Sequence, residues 1–343
     1  MKVCYLNHDI RNDTGAGSFC LSLMKAMRIA DSNYAYRVLT HDDFLPEKFI
    51  NSLFKYFPIR RSLAECDIIH ALDGWPYGVI AALVALGSKK KVIITAIGTG
   101  AVQPLYSLWK KPLLRWAYRK ADIITAVSSN TRKEILKVIP DLKIEVINHG
   151  VDFEKFQKPS RRYEEIRNLK PYILSVGAWK SRKGFEYSLA AFKEARREFP
   201  SLKYVIVSGG PENKNIEGVN FFHRTPEDFL VALYQNAELF ILLPQDVGKD
   251  IEGFGLAFLE AAASGLPIIA TKNTSAEDSV IDGEAGFLIP QGNFRDAAEA
   301  LEKILKDKSL KSKFSRAAVE FAKKMSWQKA AEDYKSLYQN LYA

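Results

Sequence analysis

The sequence predicts an α/β protein built from two doubly wound parallel-sheet domains. Three features of its 343 residues carry that prediction. Strand-like apolar runs alternate with helical patterns from end to end, as in parallel sheets covered on both faces. The length suits two domains of about 150 residues each. A charged, polar stretch with Pro159, from Glu154 to Lys170, separates two such series and reads as a linker. The expected domains are 1–165, joined by a returning helix 326–343, and 166–325.

In chain order, Val3–Leu6 reads as a strand, Ser18–Ile29 as a helix, and Tyr36–Thr40 and Asp67–His70 as strands. A turn at Asp73-Gly74-Trp75-Pro76 leads into helix Val79–Leu86. Strand Val92–Ala96, a helix or helix pair over Leu105–Arg119, strand Ile123–Val127, helix Asn130–Val138 and strand Ile144–Ile147 follow. Ser128 and Ser129 are candidate caps for the fourth of these helices. The second series opens with strand Tyr172–Val176 ahead of Gly177, then helix Phe185–Glu198, strand Tyr204–Ser208 and helix Glu227–Tyr234. Strand Leu239–Leu243, helix Ala257–Ala263, and strands Pro267–Ala270 and Gly286–Ile289 come next. Helices Ala297–Leu305, Phe314–Phe321 and Trp327–Tyr338 close the chain. Open sheets of this kind bind ligands at the carboxyl ends of their strands. Two of them facing each other are expected to leave a deep cleft suited to a small molecule.

Composition narrows the function classes. Hydrophobic residues are 47% and charged residues 26%, which excludes a disordered, collagen-like or disulfide-scaffold chain. Cys4, Cys20 and Cys66 form no CxxC pair and read as buried free thiols, which suits an intracellular compartment. Five scattered histidines and the lack of a DxD motif point to no metal site, and Asp13 and Asp282 read as structural. The apolar run at the amino end is too short for a signal peptide, and no window is long enough to span a bilayer.

Forty-nine basic against 40 acidic residues give a net charge of +9, and residues 1–150 carry +8 of it. A basic first half invites anionic partners. The densest patch is Trp109–Lys120, WKKPLLRWAYRK, with five positive charges and no negative one. Helical spacing puts Leu113, Trp116 and Ala117 near one face and Lys111, Arg115 and Arg119 near another. Two readings stand: a helix lying against a membrane surface or anionic acceptor, or a docked surface helix with a solvated basic face. No zinc-finger, ribonucleoprotein or basic-zipper signature supports nucleic-acid binding.

Three segments carry chemistry. The first strand runs into Asp13-Thr14-Gly15-Ala16-Gly17-Ser18 ahead of a helix. Glycines there allow a tight turn and close ligand approach, and a helix N-terminus offers N–H groups to an anion. The full GxGxxG pattern is absent, as is a GxxxxGK[ST] phosphate loop. Gly177–Gly184, GAWKSRKG, joins a strand to a helix and carries Lys180, Arg182 and Lys183. That arrangement is either a diphosphate grip or a polar loop. Glu252–Gly265, EGFGLAFLEAAASG, places Glu252 in a glycine-rich turn and Glu260 eight positions later inside an apolar helix. A carboxylate there costs stability unless partnered. Ribose hydroxyls would serve, as would solvent or a nearby arginine. Gly255 and Leu256 open that helix toward phosphate oxygens.

On these residues the chain resembles the retaining nucleotide-sugar glycosyltransferases of glycosyltransferase family 4, which share the two-domain GT-B fold. The matching pieces are Gly15-Ala16-Gly17, Gly177 with Arg182-Lys183-Gly184, Glu252-Gly253-Phe254-Gly255 with Glu260-Ala261, Gly265-Leu266-Pro267, and Asp282-Gly283 with Gly286. The resemblance implies that Glu260 holds the donor ribose and that Glu252 touches the transferred sugar near its C3 and C4 hydroxyls. It implies that Arg182 and Lys183 sit on the donor diphosphate. The backbone of Gly17 would approach the phosphates, and Thr274 and Ser275 would face the donor sugar and phosphate. Gly177, Phe254, Gly255 and Leu256 would line the same site. The last helix, with Trp327, would cross back to the first domain.

Two positions depart from the family pattern. Thr95-Ala96-Ile97-Gly98-Thr99 places Ile97 where a His-Gly-Thr histidine often stands, and Ala178 follows Gly177 where arginine is common. Isoleucine cannot hydrogen-bond a sugar's C6 hydroxyl. A donor lacking that hydroxyl, an altered acceptor arrangement, or a weak or inactive member would each account for it. His8, His70 and His149 are further candidates for cleft residues.

The implied reaction moves a hexosyl group such as glucose or mannose from a UDP-sugar or GDP-sugar to an acceptor hydroxyl with retention, without a divalent metal or a protein nucleophile. The acceptor is open: a lipid-linked or membrane-held molecule, a soluble sugar, a polysaccharide or a small metabolite. A cytoplasmic protein, peripheral at the inner membrane face through 109–120, is the matching expectation. A non-catalytic nucleotide-sugar-binding subunit and a same-fold nucleotide-sugar epimerase are the alternatives.

Overall fold

The computed structural model describes residues 1–12, 14–44, 59–208, 215–223 and 225–342; Asp13 lies outside them. The chain divides into two compact units, Met1–His149 with Trp327–Ala343, and Gly150–Ser326. The division falls ahead of the expected 165/166 boundary, and the charged stretch is not a free linker. It forms short helices Phe153–Gln157 and Glu164–Leu169, with Phe156, Ile166 and Leu169 buried. Gln157 donates to Ala263 O at 2.6 Å, and Ser160 N to Gln235 at 3.0 Å. A polar run with an apolar residue every few positions can clothe a domain as well as leave it.

In the first unit β1 (Lys2–Leu6), β2 (Ala35–Leu39), β3 (Ile68–Leu72), β4 (Lys91–Ala96), β5 (Ile123–Ala126) and β6 (Glu145–Val146) form one parallel sheet in the order β2-β1-β3-β4-β5-β6. In the second, β7 (Tyr172–Val176), β8 (Lys203–Val207), β9 (Val219–Phe222), β10 (Phe240–Ile241), β11 (Ile268–Thr271) and β12 (Gly286–Ile289) lie in the order β12-β11-β10-β7-β8-β9, again parallel. Central strands such as β3 and β7 are near-continuous apolar runs because helices cover both faces. Winding reverses between β1 and β3 in one sheet and between β7 and β10 in the other. Edge strand β9 was not anticipated: its four residues are only half-buried and carry little periodicity.

The returning helix Trp327–Asn340 belongs to the first unit and packs Ala330, Ala331, Tyr334, Leu337 and Tyr338 against helix Gly15–Ala30 and the sheet. A buried polar chain fixes it there. His70 on β3 pairs through Nδ1 with Tyr338 Oη and through Nε2 with Thr95 Oγ1, each at 2.7 Å. Thr95 contacts Thr125 at 2.7 Å and Tyr334 at 3.1 Å, and Tyr5 joins Tyr338 at 2.9 Å and Tyr34. Burial pushes the His70 imidazole down to about 3. His70 is therefore a core residue and not a cleft residue. His149 is also interior, stacked between Phe19 and Trp327.

The free-thiol expectation is corrected for two cysteines. Cys4 on β1 and Cys66 just ahead of β3 are joined as a disulfide, Cα atoms 5.9 Å apart. Their strands are neighbours, a relation that sequence separation hides. Cys20 remains a free buried thiol, its pKa pushed up by burial to about 12. The cysteine argument for an intracellular compartment therefore lapses.

Candidate donor-binding and catalytic site

At the reversal point of the second sheet β7 and β10 are neighbours, so the loops after them, 177–184 and 242–255, leave side by side. Ligand sites in open sheets lie at such points. Gln245 N donates to Arg182 O at 2.9 Å and stitches the loops together. Gly184 is required there: its φ is +63°, and a Cβ would lie 1.7 Å from Leu243 O.

The stitched loops bring together residues 70 apart in sequence. Glu252 is buried and accepts from Arg182 Nη1 and from Lys183 Nζ, the latter at 2.9 Å. Arg182 Nε also reaches Asp250 Oδ1 at 3.2 Å. The Lys183 ammonium lies over Gly177, where a Cβ would sit 3.6 Å from Nζ. Burial alone would raise the Glu252 pKa; the charges of Lys183 and Arg182 outweigh it and hold the carboxyl below its ordinary range. The result is a buried carboxylate gripping two adjacent cations at a strand's carboxyl end. Lys180, the third base of the loop, is not part of this ion-pair cluster.

Gly255, at φ +82°, turns the chain into helix Leu256–Ala263. Phe254 is buried beneath the turn. Glu260, one turn into the helix, accepts from Tyr234 Oη at 2.7 Å. Its partner is thus a tyrosine of helix Glu227–Asn236 rather than an arginine. Desolvation raises the Glu260 pKa, while the Tyr234 hydrogen bond and the charge of Lys155 oppose that rise. In the loop after β11, Thr274 Oγ1 donates to Thr271 O at 2.8 Å and accepts from Ala276 N at 3.2 Å. Ser275 Oγ and Thr271 Oγ1 are buried without a hydrogen-bond partner.

Two family models meet end to end on this chain. "Glycosyltransferase Family 4" matches residues 21–155 and "Glycosyl transferases group 1" matches 156–321. The chain belongs to the family 4 type of glycosyltransferase, with the GT-B fold. A GDP-mannose-dependent alpha-(1-6)-phosphatidylinositol monomannoside mannosyltransferase of Mycolicibacterium smegmatis is 26% identical over 280 residues, covering 74% of this chain and 71% of that protein. Among solved structures, sucrose-phosphate synthase from Thermosynechococcus elongatus aligns with a TM-score of 0.80 at 18% identity, over 100% of this chain and 99% of that one. Anabaena HepE in complex with UDP and glucose aligns with a TM-score of 0.77 at 16% identity, over 99% and 100%.

In this glycosyltransferase the first unit presents a different picture at its strand ends. Thr14 caps helix Gly15–Ala30 by accepting from Gly17 N at 3.0 Å. A Cβ on Gly17 would lie 2.2 Å from Arg11 O and 2.3 Å from Asp9 Oδ1, whereas Gly15 has open space. The chain's own Asp9 and Arg11 therefore explain Gly17 here. Ile97 packs against the first unit's apolar core. His8, a candidate from the sequence, lies at the ends of β1, β2 and β3 with two unanticipated neighbours: Tyr77 Oη is 2.9 Å from His8 Nδ1 and 3.3 Å from His41 Nδ1. Asp73 accepts from Gly74 N at 2.7 Å, and burial pushes its carboxyl up to about 7. Among the described residues no group of three or more His, Cys, Asp and Glu is placed to hold a metal ion.

Sequence reasoning missed Asp250 and Tyr234. Asp250 had a signal, since Asp250 and Glu252 are two apart and an extended loop turns alternate residues to one side. Tyr234 had none, because its partner is a helix contact 26 residues distant.

Proposed function

We propose that this enzyme transfers a hexosyl group from a UDP-sugar or GDP-sugar to an acceptor hydroxyl with retention. The observation that carries the reading is the buried Glu252 holding Arg182 and Lys183 at the reversal point of the second sheet. Those two cations are prepositioned for a diphosphate and need little reorganisation when charge develops on it. As the bond from the anomeric carbon to the phosphate oxygen breaks, its electron pair passes to the diphosphate. The acceptor oxygen bonds to the anomeric carbon from the same face, and its proton goes to the departing phosphate oxygen. No protein nucleophile enters. Glu260, beside Tyr234, is assigned to the ribose hydroxyls. Glu252 is assigned to the sugar's hydroxyls as well as to the cations. Backbone at Gly177, Gly255 and Leu256, with Thr274 and Ser275, is assigned to the phosphates and sugar. Gly15 and Gly17 keep a phosphate-facing assignment in the first unit, Gly15 with the more open surroundings.

Relatives with GDP-mannose or UDP in their names leave the choice of nucleotide to experiment. A lipid-linked acceptor is favoured by the basic first unit and by the phosphatidylinositol monomannoside acceptor named for the mycolicibacterial relative. A nucleotide-sugar donor and a basic surface both suit the cytoplasmic face of an anionic membrane. No helix of the described residues is long and apolar enough to cross a membrane, so contact there would be peripheral.

The test is thermal stabilisation, without added metal, by UDP, GDP, ADP, CMP and their common sugar conjugates. Binding to the folded state alone raises apparent stability. A selective shift that shrinks in Glu260→Ala supports the donor assignment. No shift with any nucleotide overturns it. Release of free sugar from the stabilising donor separates an enzyme from a binding subunit.

A further inference from the structure

The last helix of the connection from β4 to β5 leaves a particular surface bare. It spans Lys110–Lys120, and its buried residues are Leu114, Ala117 and Tyr118. Of the face that spacing groups as Leu113, Trp116 and Ala117, only Ala117 is buried, and Leu113 is 46% exposed. Immediately before the helix, Leu108 is 89% exposed and Trp109 is 87% exposed. Both belong to the first unit and stand at the start of the helix that runs back to the beginning of β5, so they lie toward the carboxyl ends of the strands. Two adjacent large apolar residues held almost wholly in water have no stabilising role in this fold.

The charges beside them are arranged for an anion. A groove of about 580 Å³ on the helix is lined by Lys111, Arg115, Trp116, Arg119 and Lys120. Arg119 is committed to Asp141, at 3.1 Å from each carboxylate oxygen. Arg115 Nε is buried and has no hydrogen-bond partner. Lys110 lies over the Trp75 ring at 5.4 Å. A docked helix with a merely solvated basic face accounts for the lysines. It does not account for the bare Leu-Trp tip or the unpaired arginine nitrogen.

We infer that Leu108 and Trp109 insert into the surface of an anionic phospholipid bilayer, while the Lys111–Arg115–Lys120 groove seats a lipid phosphate beside them. The inference deepens the membrane-acceptor reading above and rests on it. Indole and leucyl side chains suit the interfacial layer, and basic side chains one turn away meet the headgroup charge. The tip lies at the end of the sheet where ligand loops gather, so docking would present a membrane-held acceptor to that end.

The experiment is flotation of the full-length protein with phosphatidylcholine vesicles, with and without about 30 mol% phosphatidylglycerol, at low and at physiological salt. Binding should need phosphatidylglycerol and weaken with salt. The double variant Leu108→Ser/Trp109→Ser should lose binding by at least tenfold. The melting temperature should hold, because both side chains are already exposed. Replacing Lys111, Arg115 and Lys120 by Ser should weaken binding roughly fivefold per charge, about 1 kcal/mol each. Serine at Lys323 and Lys324, basic positions of the second unit, should leave it unchanged. Brominated lipid should quench wild-type tryptophan fluorescence more than that of Trp109→Phe. Undiminished binding by the Leu108/Trp109 variant overturns the inference. So does equal binding to uncharged vesicles, or preferential binding to a DNA duplex. Nucleotide-induced thermal shifts without vesicles report on the donor site separately, so failure of one reading is distinguishable from failure of the other.

Discussion

The two sheets end in opposite kinds of chemistry. After β7 and β10, Arg182, Lys183, Glu252 and Asp250 form a bonded ionic cluster. After β1, β2 and β3 the polar groups are Tyr77 between two histidines, a buried Asp73, and a glycine covered by its own loop. The sheets share parallel pairing and a winding reversal, so topology does not produce the difference. A diphosphate needs fixed positive charge and close backbone approach, and few residue types supply them. An acceptor hydroxyl is met by many side chains, and the first unit's loops are free to vary. The contrast predicts that donor affinity resides chiefly in the side chains of the second cluster and is insensitive to the side chains of Tyr77, His8, His41 and Asp73 in the first.

The largest effect should come from Lys183→Ala. Removing one cation aimed at a developing phosphate charge typically costs about 10²- to 10³-fold in rate. Transfer should fall by that amount and the nucleotide-induced thermal shift should vanish. Lys89→Ala, an exposed position of the first unit outside the 109–120 patch, should change neither by more than about twofold, the small effect usual for exposed substitutions. A retained shift in Lys183→Ala would break the comparison, since the diphosphate would then be held elsewhere.

Glu252→Gln sharpens it next. The carboxylate is assigned two tasks, gripping the cations and meeting the sugar. Its loss should slow transfer by about 10²-fold, comparable to loss of one preorganised hydrogen-bonding group. Yet a nucleoside diphosphate without sugar should stabilise the variant at least as well as the wild type, because two cations lose a competing anion. Isothermal titration with the free diphosphate checks this. Loss of both properties would make Glu252 a folding residue only.

Glu260→Gln should have a smaller effect. About tenfold weaker nucleotide binding, or about 1.4 kcal/mol, is expected for one charge-assisted hydrogen-bond set. Turnover at saturating donor should be little changed. Tyr234→Phe, which removes only the hydroxyl holding Glu260, should weaken binding less than Glu260→Gln does. Kd values for the nucleotide in the two variants decide it.

Much of this was legible because local rules agree with the global fold. Apolar runs of four to six residues between helical patterns gave both sheets and the returning helix. The glycine-bounded loops around Arg182 and Glu252 marked the strand ends. The illegible parts are pairings across space. Cys4 with Cys66 and Tyr234 with Glu260 join segments that only the sheet order or helix packing makes adjacent. In helix Lys110–Lys120 spacing grouped Leu113 with Ala117, whereas the buried leucine is Leu114: two neighbouring leucines leave the phase of the buried face undetermined. Residues 150–165 were misassigned because composition reports solvent contact and not attachment.

The smallest effect on donor binding should come from His70, and it tests the independence of the two units. His70 is held neutral by burial, its pKa pushed down to about 3 from an ordinary value near 6.5. Between those values the unfolded chain binds a proton that the folded chain refuses. Stability therefore falls as pH drops, by up to about 1.4 kcal/mol per pH unit through this window. Glu252, whose folded pKa lies below its unfolded one, withdraws its contribution only as pH falls below the ordinary carboxylate range near 4.5. Asp73, in the same unit, works the other way: its carboxyl, pushed up to about 7, takes up a proton in the folded chain over most of this window and offsets the His70 loss. His70→Gln, a neutral hydrogen-bonding replacement, leaves Asp73 unopposed, so between about pH 6.5 and 5 the variant's first unit should gain stability relative to wild type as pH falls, while the second unit does not. Hydrogen exchange read separately on peptides from β3–β4 and from β7–β8 checks it: only the former should differ in pH dependence between variant and wild type, and the nucleotide-induced thermal shift should stay within experimental error. An equal change in both sheets would mean that the units do not unfold independently, and the donor cluster's insensitivity to the first unit's core would fail with it.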